Sequence, residues 1–273
     1  MRYTLSVARK PSLSPSKITL FLACKLKYRW TYFDPRGRAF FRAKSYYSFG
    51  TTLHRVLQRF HDPADTDVVS VEQAVQAVHQ AWVSAGYTGP EQEQAKRELG
   101  EQAIRDYVEA HLAAPSEAVT VALERFLQTD MGSFRLLGRV DRIDEWSDGS
   151  IEIIDYKSGR SDVEEAEVRG DLAMNCYHLL VRETFPERPI LATIVAVRTG
   201  NRATVGFAPD DADRFGQDLR VLGEEILGTD WEEVVPVRIP ACETCDFVPL
   251  CARHPEFDIS GLTLSRRMSN RDG

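Results

Sequence analysis

The sequence predicts an α/β protein with a mixed central sheet, and three observations carry that expectation. Residues 134–157 read as two short strands joined by a turn. Amphipathic helical patterns lie on both sides of them, and an apolar strand pattern returns at 189–197. At 273 residues, with 43% hydrophobic and 27% charged side chains, the composition is that of one large globular domain spanning 1–273. No apolar run approaches the roughly 20 residues of a membrane-spanning helix, and MRYTLSVARKPSLSPSK lacks an apolar signal core. A cytoplasmic protein is therefore expected.

Taken in order, residues 12–33 open with a Ser/Pro cap signal and run into a helix with Ile18, Phe21 and Leu22 apolar and Cys24 near its end. Residues 34–45, with Pro35 and Gly37, read as a loop. Gly50 and Thr51 begin a helix whose buried stripe is Leu53, Val56, Leu57 and Phe60, with His54 at its edge. Two amphipathic helices follow at 71–84 and 91–113, separated by Pro90; they read as a helical insertion that shapes a substrate entrance or simply packs, without recognisable chemistry. Strand patterns then run from Val119 to Leu127, through Phe134–Ile143 and through Ile151–Lys157, so that the core occupies 119–207. The Ser147-Asp148-Gly149-Ser150 cluster is the hairpin turn. A helix through Leu172, Cys176, Leu179, Leu180 and Val181, strands at 189–197 and 202–207, and a helix over 210–228 complete the pattern. The tail from His254 to Gly273 is polar and expected to fray.

The chemistry concentrates at the strand ends. Alternation along Ile151–Lys157 puts Asp155 and Lys157 on one face and Ile154 and Tyr156 on the other. An acid and a lysine at the end of an apolar strand are costly without partners. A divalent cation held by Asp141 and Asp155, with Lys157 beside it, meets that requirement. Glu124, one strand away, is a third carboxylate, with a structural ion pair to Arg125 or Arg139 as the alternative. Asp144 and Asp148 read as solvated caps near the turn, and His54 on its own reads as a core histidine.

Gly138, Asp141-Arg142-Ile143-Asp144 and Asp155-Tyr156-Lys157-Ser158-Gly159 resemble the signature of the PD-(D/E)xK nucleases, in particular their RecB-like branch. The order helix, three strands, helix, strand matches that family's restriction-endonuclease-like αβββαβ core. The resemblance implies a metal-dependent deoxyribonuclease, an exonuclease on single-stranded DNA or DNA ends, in repair, recombination or CRISPR adaptation. Asp141 and Asp155 would be ligands for Mg²⁺ or Mn²⁺, with Glu124 a ligand or water-orienting group and Lys157 stabilising developing charge. The pattern GxxxH ahead of an apolar helix makes His54 a further ligand, and the Tyr156 carbonyl would complete the shell. In the family's QxxxY helix, Tyr177 takes the tyrosine position and so a DNA-contacting role. Ala173 stands where the glutamine belongs, with Asn175 as a substitute.

Five cysteines are present, and Cys242, Cys245 and Cys251 form a C-x2-C-x5-C loop over 240–251. Disulfides are not expected in a cytosolic chain, so three thiolates on a tight loop call for a soft metal centre with a fourth ligand. Cys24, in the basic N-terminal segment 12–48, is the natural fourth. The arrangement resembles the AddB-like nucleases and the CRISPR-associated spacer-acquisition nuclease, which implies a [4Fe-4S] cluster stapling the N-terminal region to the C-terminal one. A structural zinc is the competing occupant. Cys176 reads as a core residue.

Net charge is −7, yet residues 1–60 carry thirteen basic side chains against Asp34 alone, a net +12 that leaves −19 for the remainder. Tyr28, Trp30, Tyr32, Phe33, Phe40, Phe41, Tyr46 and Tyr47 are interleaved with those bases. Such a segment suits a polyanion groove with stacking surfaces, or a solvated basic face over an aromatic core. No GxxxxGK[ST] is present, so unwinding would need a helicase partner, and an integrase is the other expected partner class. Two other functions fit the same features. One is a catalytically silent, cluster-containing DNA-binding subunit; the other is a hydrolase directed at RNA or nucleotides.

Overall fold

The computed structural model describes residues 10–160 and 162–262. The expected fraying beyond Leu262, and the basic residues Arg2 and Arg9, lie outside them. The chain falls into two compact units, one of residues 1–15 and 43–224, the other of 16–42 and 225–273.

The larger unit is built on a mixed sheet, six-stranded among the described residues: β1 (Ser12–Leu13), β2 (Val119–Asp130), β3 (Arg135–Glu145), β4 (Ile151–Lys157), β5 (Ile190–Ala196) and β6 (Asn201–Gly206). β3 carries β2 antiparallel along its whole length. Its other edge pairs with β1 at Arg135–Leu136 and with β4 at Arg142–Glu145. β4 runs parallel to β5 from Ile151 to Lys157, and β6 closes the sheet antiparallel to β5. The βαβ crossover between β4 and β5 puts helices on the sheet, which explains why the β4 run Ile151–Tyr156 is buried on both faces.

One face is covered by α3 (Ser45–His61), α4 (Val71–Ala81) and α5 (Pro90–Ala113). Phe49, Leu53, Val56 and Leu57 of α3, Ala103, Ile104 and Val108 of α5, and Ile154, Tyr156 and Val195 of the sheet form one core cluster. The helices of the insertion thus pack into the core. The other face takes α6 (Glu165–Gly170) and α7 (Leu172–Thr184), the latter packing on β3, β4 and β5. Gly138 permits that seat: a Cβ there would lie 2.5 Å from Leu180 Cδ1 and 3.2 Å from Tyr177 Cδ1. α8 (Pro209–Gly228) follows, with Gly223 pressed against Phe134, where a Cβ would lie 2.1 Å from the ring.

In the smaller unit, the single helix expected over residues 12–33 is two, α1 (Pro15–Ala23) and α2 (Lys25–Tyr32). Cys24 breaks them by adopting an extended backbone and capping α2, its Sγ accepting from Lys27 N at 3.4 Å. The expected loop contains a 3₁₀ turn over Pro35–Phe40, capped by Asp34. Of the two readings of the aromatic segment, Tyr28 and Trp30 follow the core one: they are 2% and 8% exposed, and Tyr28 stacks on Trp231. The C-terminal segment contributes a 3₁₀ turn at Pro240–Thr244 and α9 (Val248–Cys251). Among the described residues, no helix is long and apolar enough to cross a membrane.

Candidate metal centre

Pairing between β3 and β4 ends at Arg142–Ile154, while β4 continues beside β5 as far as Lys157. Asp141 fills the splay: its Oδ2 accepts the Tyr156 backbone N–H at 2.9 Å, so a side chain replaces the missing ladder partner. On α3, about one turn past the close approach of Gly50 to Ser158, His54 enters from the insertion side. Its Nδ1 lies 3.3 Å from Asp141 Oδ1, and its Nε2 donates to the Tyr156 carbonyl at 2.9 Å. Glu124 reaches the same point from β2, where its backbone takes a positive φ of 48°. That left-handed kink in a non-glycine residue is uncommon, and such strain concentrates at functional sites.

His54, Glu124 and Asp141 each present a ligand atom within 4.8 Å of the other two. One imidazole and two carboxylates form a hard, oxygen-rich donor set of the kind that Mg²⁺ or Mn²⁺ takes. The electrostatics also fit a cation. Burial pushes the Glu124 carboxyl above its ordinary range, the Asp141 charge adds to that, and Arg139 opposes it. The alternative expected for Glu124 is present at the same time, because Arg139 Nε lies 2.6 Å from Glu124 Oε2. Burial would lower the His54 pKa, but the Asp141 carboxylate outweighs it, helped by Asp155 and Glu124, and raises it to about 9.

Asp155 and Lys157 stand beside this group as a pair, with Lys157 Nζ 2.7 Å from Asp155 Oδ2 and 4.0 Å from Asp171 Oδ2. Burial raises the Asp155 pKa; Lys157 counters it, and the nearby Asp141 adds to it. The Lys157 ammonium is held above its usual pKa by Asp155, against the cost of its own burial. Tyr177 faces the same carboxylates: burial, then Asp155 and Asp141, push its hydroxyl pKa up. Asn175, offered as a substitute for the missing glutamine, is spent locally, its Nδ2 donating to Arg169 O and Asp171 O.

Asp144 corrects the sequence reading. It is not a solvated cap but 1% exposed, gripped by Arg142 through two hydrogen bonds. Asp148 is the exposed turn residue expected, accepting from Ser150 N. Arg142 also meets the His61 ring nitrogens, and a hydroxyl chain runs from His61 through Tyr107 to Tyr156. Sequence reasoning missed this network because its members come from β3, α3, α5 and β4. The one available signal was the adjacency of a β-strand Arg142 and Asp144 on one face.

In the smaller unit, Cys24, Cys242, Cys245 and Cys251 line one small pocket with Leu26, Trp30 and Phe247. Burial raises the Cys245 thiol, and it pushes Cys251 to about 12, with the neighbouring thiols adding to both. The four are not gathered as closely as His54, Glu124 and Asp141. Cys176 is fully buried, as expected of a core residue.

A mixed sheet flanked by helices, with acids and a lysine at the parting of two strands, places the chain in the α/β class. The sequence model of the PD-(D/E)XK nuclease superfamily matches residues 12–252, and the chain belongs to that superfamily. The fold is consistent with its restriction-endonuclease-like core. No curated protein matches the chain. Among solved structures, a protein named "Putative exonuclease" from Eubacterium rectale is 13% identical, with 96% of this chain and 92% of that one covered at a TM-score of 0.48. SSO0001 is likewise 13% identical, over 77% of this chain and 96% of that one, at a TM-score of 0.33.

Proposed function

We propose that the protein is a metal-dependent deoxyribonuclease of the RecB-like or AddB-like branch, hydrolysing phosphodiester bonds of single-stranded DNA or DNA ends. The observation that carries this is the convergence of His54, Glu124 and Asp141 within 4.8 Å beside the Asp155–Lys157 pair. When bound, Mg²⁺ or Mn²⁺ supplies charge neutralisation at the phosphate and an acidified water. His54, Glu124, Asp141 and Asp155 would hold it, with the Tyr156 carbonyl as a further oxygen donor. Lys157 keeps its proton, because Asp155 stabilises the ammonium, and so offers a fixed positive charge to the phosphate oxygens. Arg139 neutralises Glu124 in the resting protein and is exposed enough to turn to a phosphate instead.

The four cysteines of the smaller unit are assigned to a [4Fe-4S] cluster with a structural role. Their common pocket supports a shared centre there. DNA is the partner that the basic segment favours. A helicase or integrase partner, in repair, recombination or CRISPR adaptation, belongs to the same reading.

The test is incubation of end-labelled linear and circular DNA, single- and double-stranded, with the protein in Mn²⁺, Mg²⁺ or EDTA. Cleavage that needs the cation and prefers single strands or ends is expected. Tight DNA binding with no cleavage in either metal would replace the nuclease by a silent DNA-binding subunit.

A further inference from the structure

The cleft over the candidate metal centre, about 600 Å³ in volume, is walled by one stripe of α3. Tyr46, Tyr47, Gly50, Thr51, His54, Arg55 and Gln58 recur at the spacing of a single helix face. The opposite face of α3 buries Phe49, Leu53, Val56 and Leu57, so the core makes no demand on the cleft face. Yet the first turn of that face carries two tyrosines, 59% and 68% exposed. Their rings are tilted by 48° with centroids 4.4 Å apart. Paired exposed aromatics at the mouth of a polar cleft hold their apolar area in water unless a ligand covers it.

Order along the stripe identifies the ligand. From Tyr47 to His54 is seven residues, about 10 Å along the helix axis. That distance holds two or three nucleotides at about 3.4 Å each along a stacked strand. Gly50 lies between them and lets α3 close on Ser158 at the floor of the cleft. Beyond the aromatic pair come His54 of the candidate metal group, then Arg55, and Arg139 on the facing strand. Ring faces at one end and guanidinium groups around the cation site at the other match bases and phosphates respectively.

We infer that Tyr46 and Tyr47 form a base-stacking platform that seats unpaired bases two to three nucleotides from the scissile phosphate, selecting single-stranded nucleic acid for the site. The inference rests on the nuclease reading above and assigns its strand specificity. A tyrosine can take a base only when that base has left its pair and exposed a π-face.

Binding of fluorescent short oligothymidylate, and of an abasic oligomer of the same length, tests this on the full-length protein in Ca²⁺. Tyr46→Ala with Tyr47→Ala should weaken oligothymidylate binding about tenfold per ring removed. The abasic oligomer should lose less than about twofold, since it offers phosphates but no stacking surface. Tyr46→Phe with Tyr47→Phe, which keeps both rings, should bind oligothymidylate as the wild type does. Equal losses on the two oligomers, or none on either, would overturn the platform while wild-type cleavage of DNA in Mn²⁺ persists. Absence of cleavage by the wild type would strike instead at the nuclease reading.

Discussion

The backbone N–H of Tyr156 donates to Asp141 Oδ2 over 2.9 Å at the place where β3 and β4 stop pairing. One carboxylate therefore does two jobs, closing a gap in the sheet with one oxygen and facing His54 with the other at 3.3 Å. Tyr156 is held from both ends, since its carbonyl accepts from His54 and its hydroxyl lies in the buried chain to Tyr107.

That double role separates two substitutions. Asp141→Asn keeps an oxygen for the Tyr156 N–H, whereas Asp141→Ala leaves a half-buried donor without a partner, at about 1–3 kcal/mol. Both should abolish Mn²⁺-dependent cleavage. Only the alanine variant should lower the urea unfolding midpoint appreciably, and equal midpoints would show that the hydrogen bond carries no weight.

The Arg142–Asp144 pair, 5% and 1% exposed, is a buried ion pair that must be removed whole or not at all. Arg142→Met alone should cost about 3–5 kcal/mol, because Asp144 is left charged and desolvated. Adding Asp144→Leu should recover part of that loss. Additive losses in denaturant titrations of the two single variants and the double would contradict a direct coupling.

Two buried histidines make the fold acid-sensitive. Burial, reinforced by Arg142, drives His61 down to about 2, and burial with Arg182 nearby drives His178 to about 4. An unfolded chain protonates both near 6.5, so below that pH it binds protons that the native state refuses. Stability should fall as pH drops from 6.5 to about 4, by up to about 1.4 kcal/mol per unit for each histidine. Thermal melts across that range check it, and His178→Gln should flatten the slope.

Much of this was legible in the chain. The Ser147–Ser150 turn and the β-branched run Ile151–Ile154 set the hairpin, and its alternation placed Asp155 and Lys157 together. The resemblance around Gly138, Asp141 and Asp155-Tyr156-Lys157 named the superfamily that residues 12–252 match. What escaped depends on long-range placement. Asp144 reads as a turn residue until Arg142 and α5 cover it. Whether Tyr28 and Trp30 are stacking surface or core stays open until Trp231, some two hundred positions away, packs on Tyr28. The break at Cys24 is a tertiary override, since the flanking residues favour one continuous helix.

The cysteine pocket gives a compositional test. Anaerobically purified protein should be brown, with about four iron and four sulfide per chain. Cys24→Ser should lower both and destabilise the smaller unit. A colourless protein carrying zinc would replace the cluster with a tetrahedral thiolate site.

The most direct measurement compares the wild type with Asp155→Ala and Lys157→Ala for cleavage of labelled single-stranded DNA in Mn²⁺, at matched circular dichroism and iron content. Both variants should be inactive by at least about a hundredfold, the scale of losing one preorganised charge at the reacting phosphate. Cleavage by either at the wild-type rate would contradict the placement of the active centre at the parting of β3 and β4.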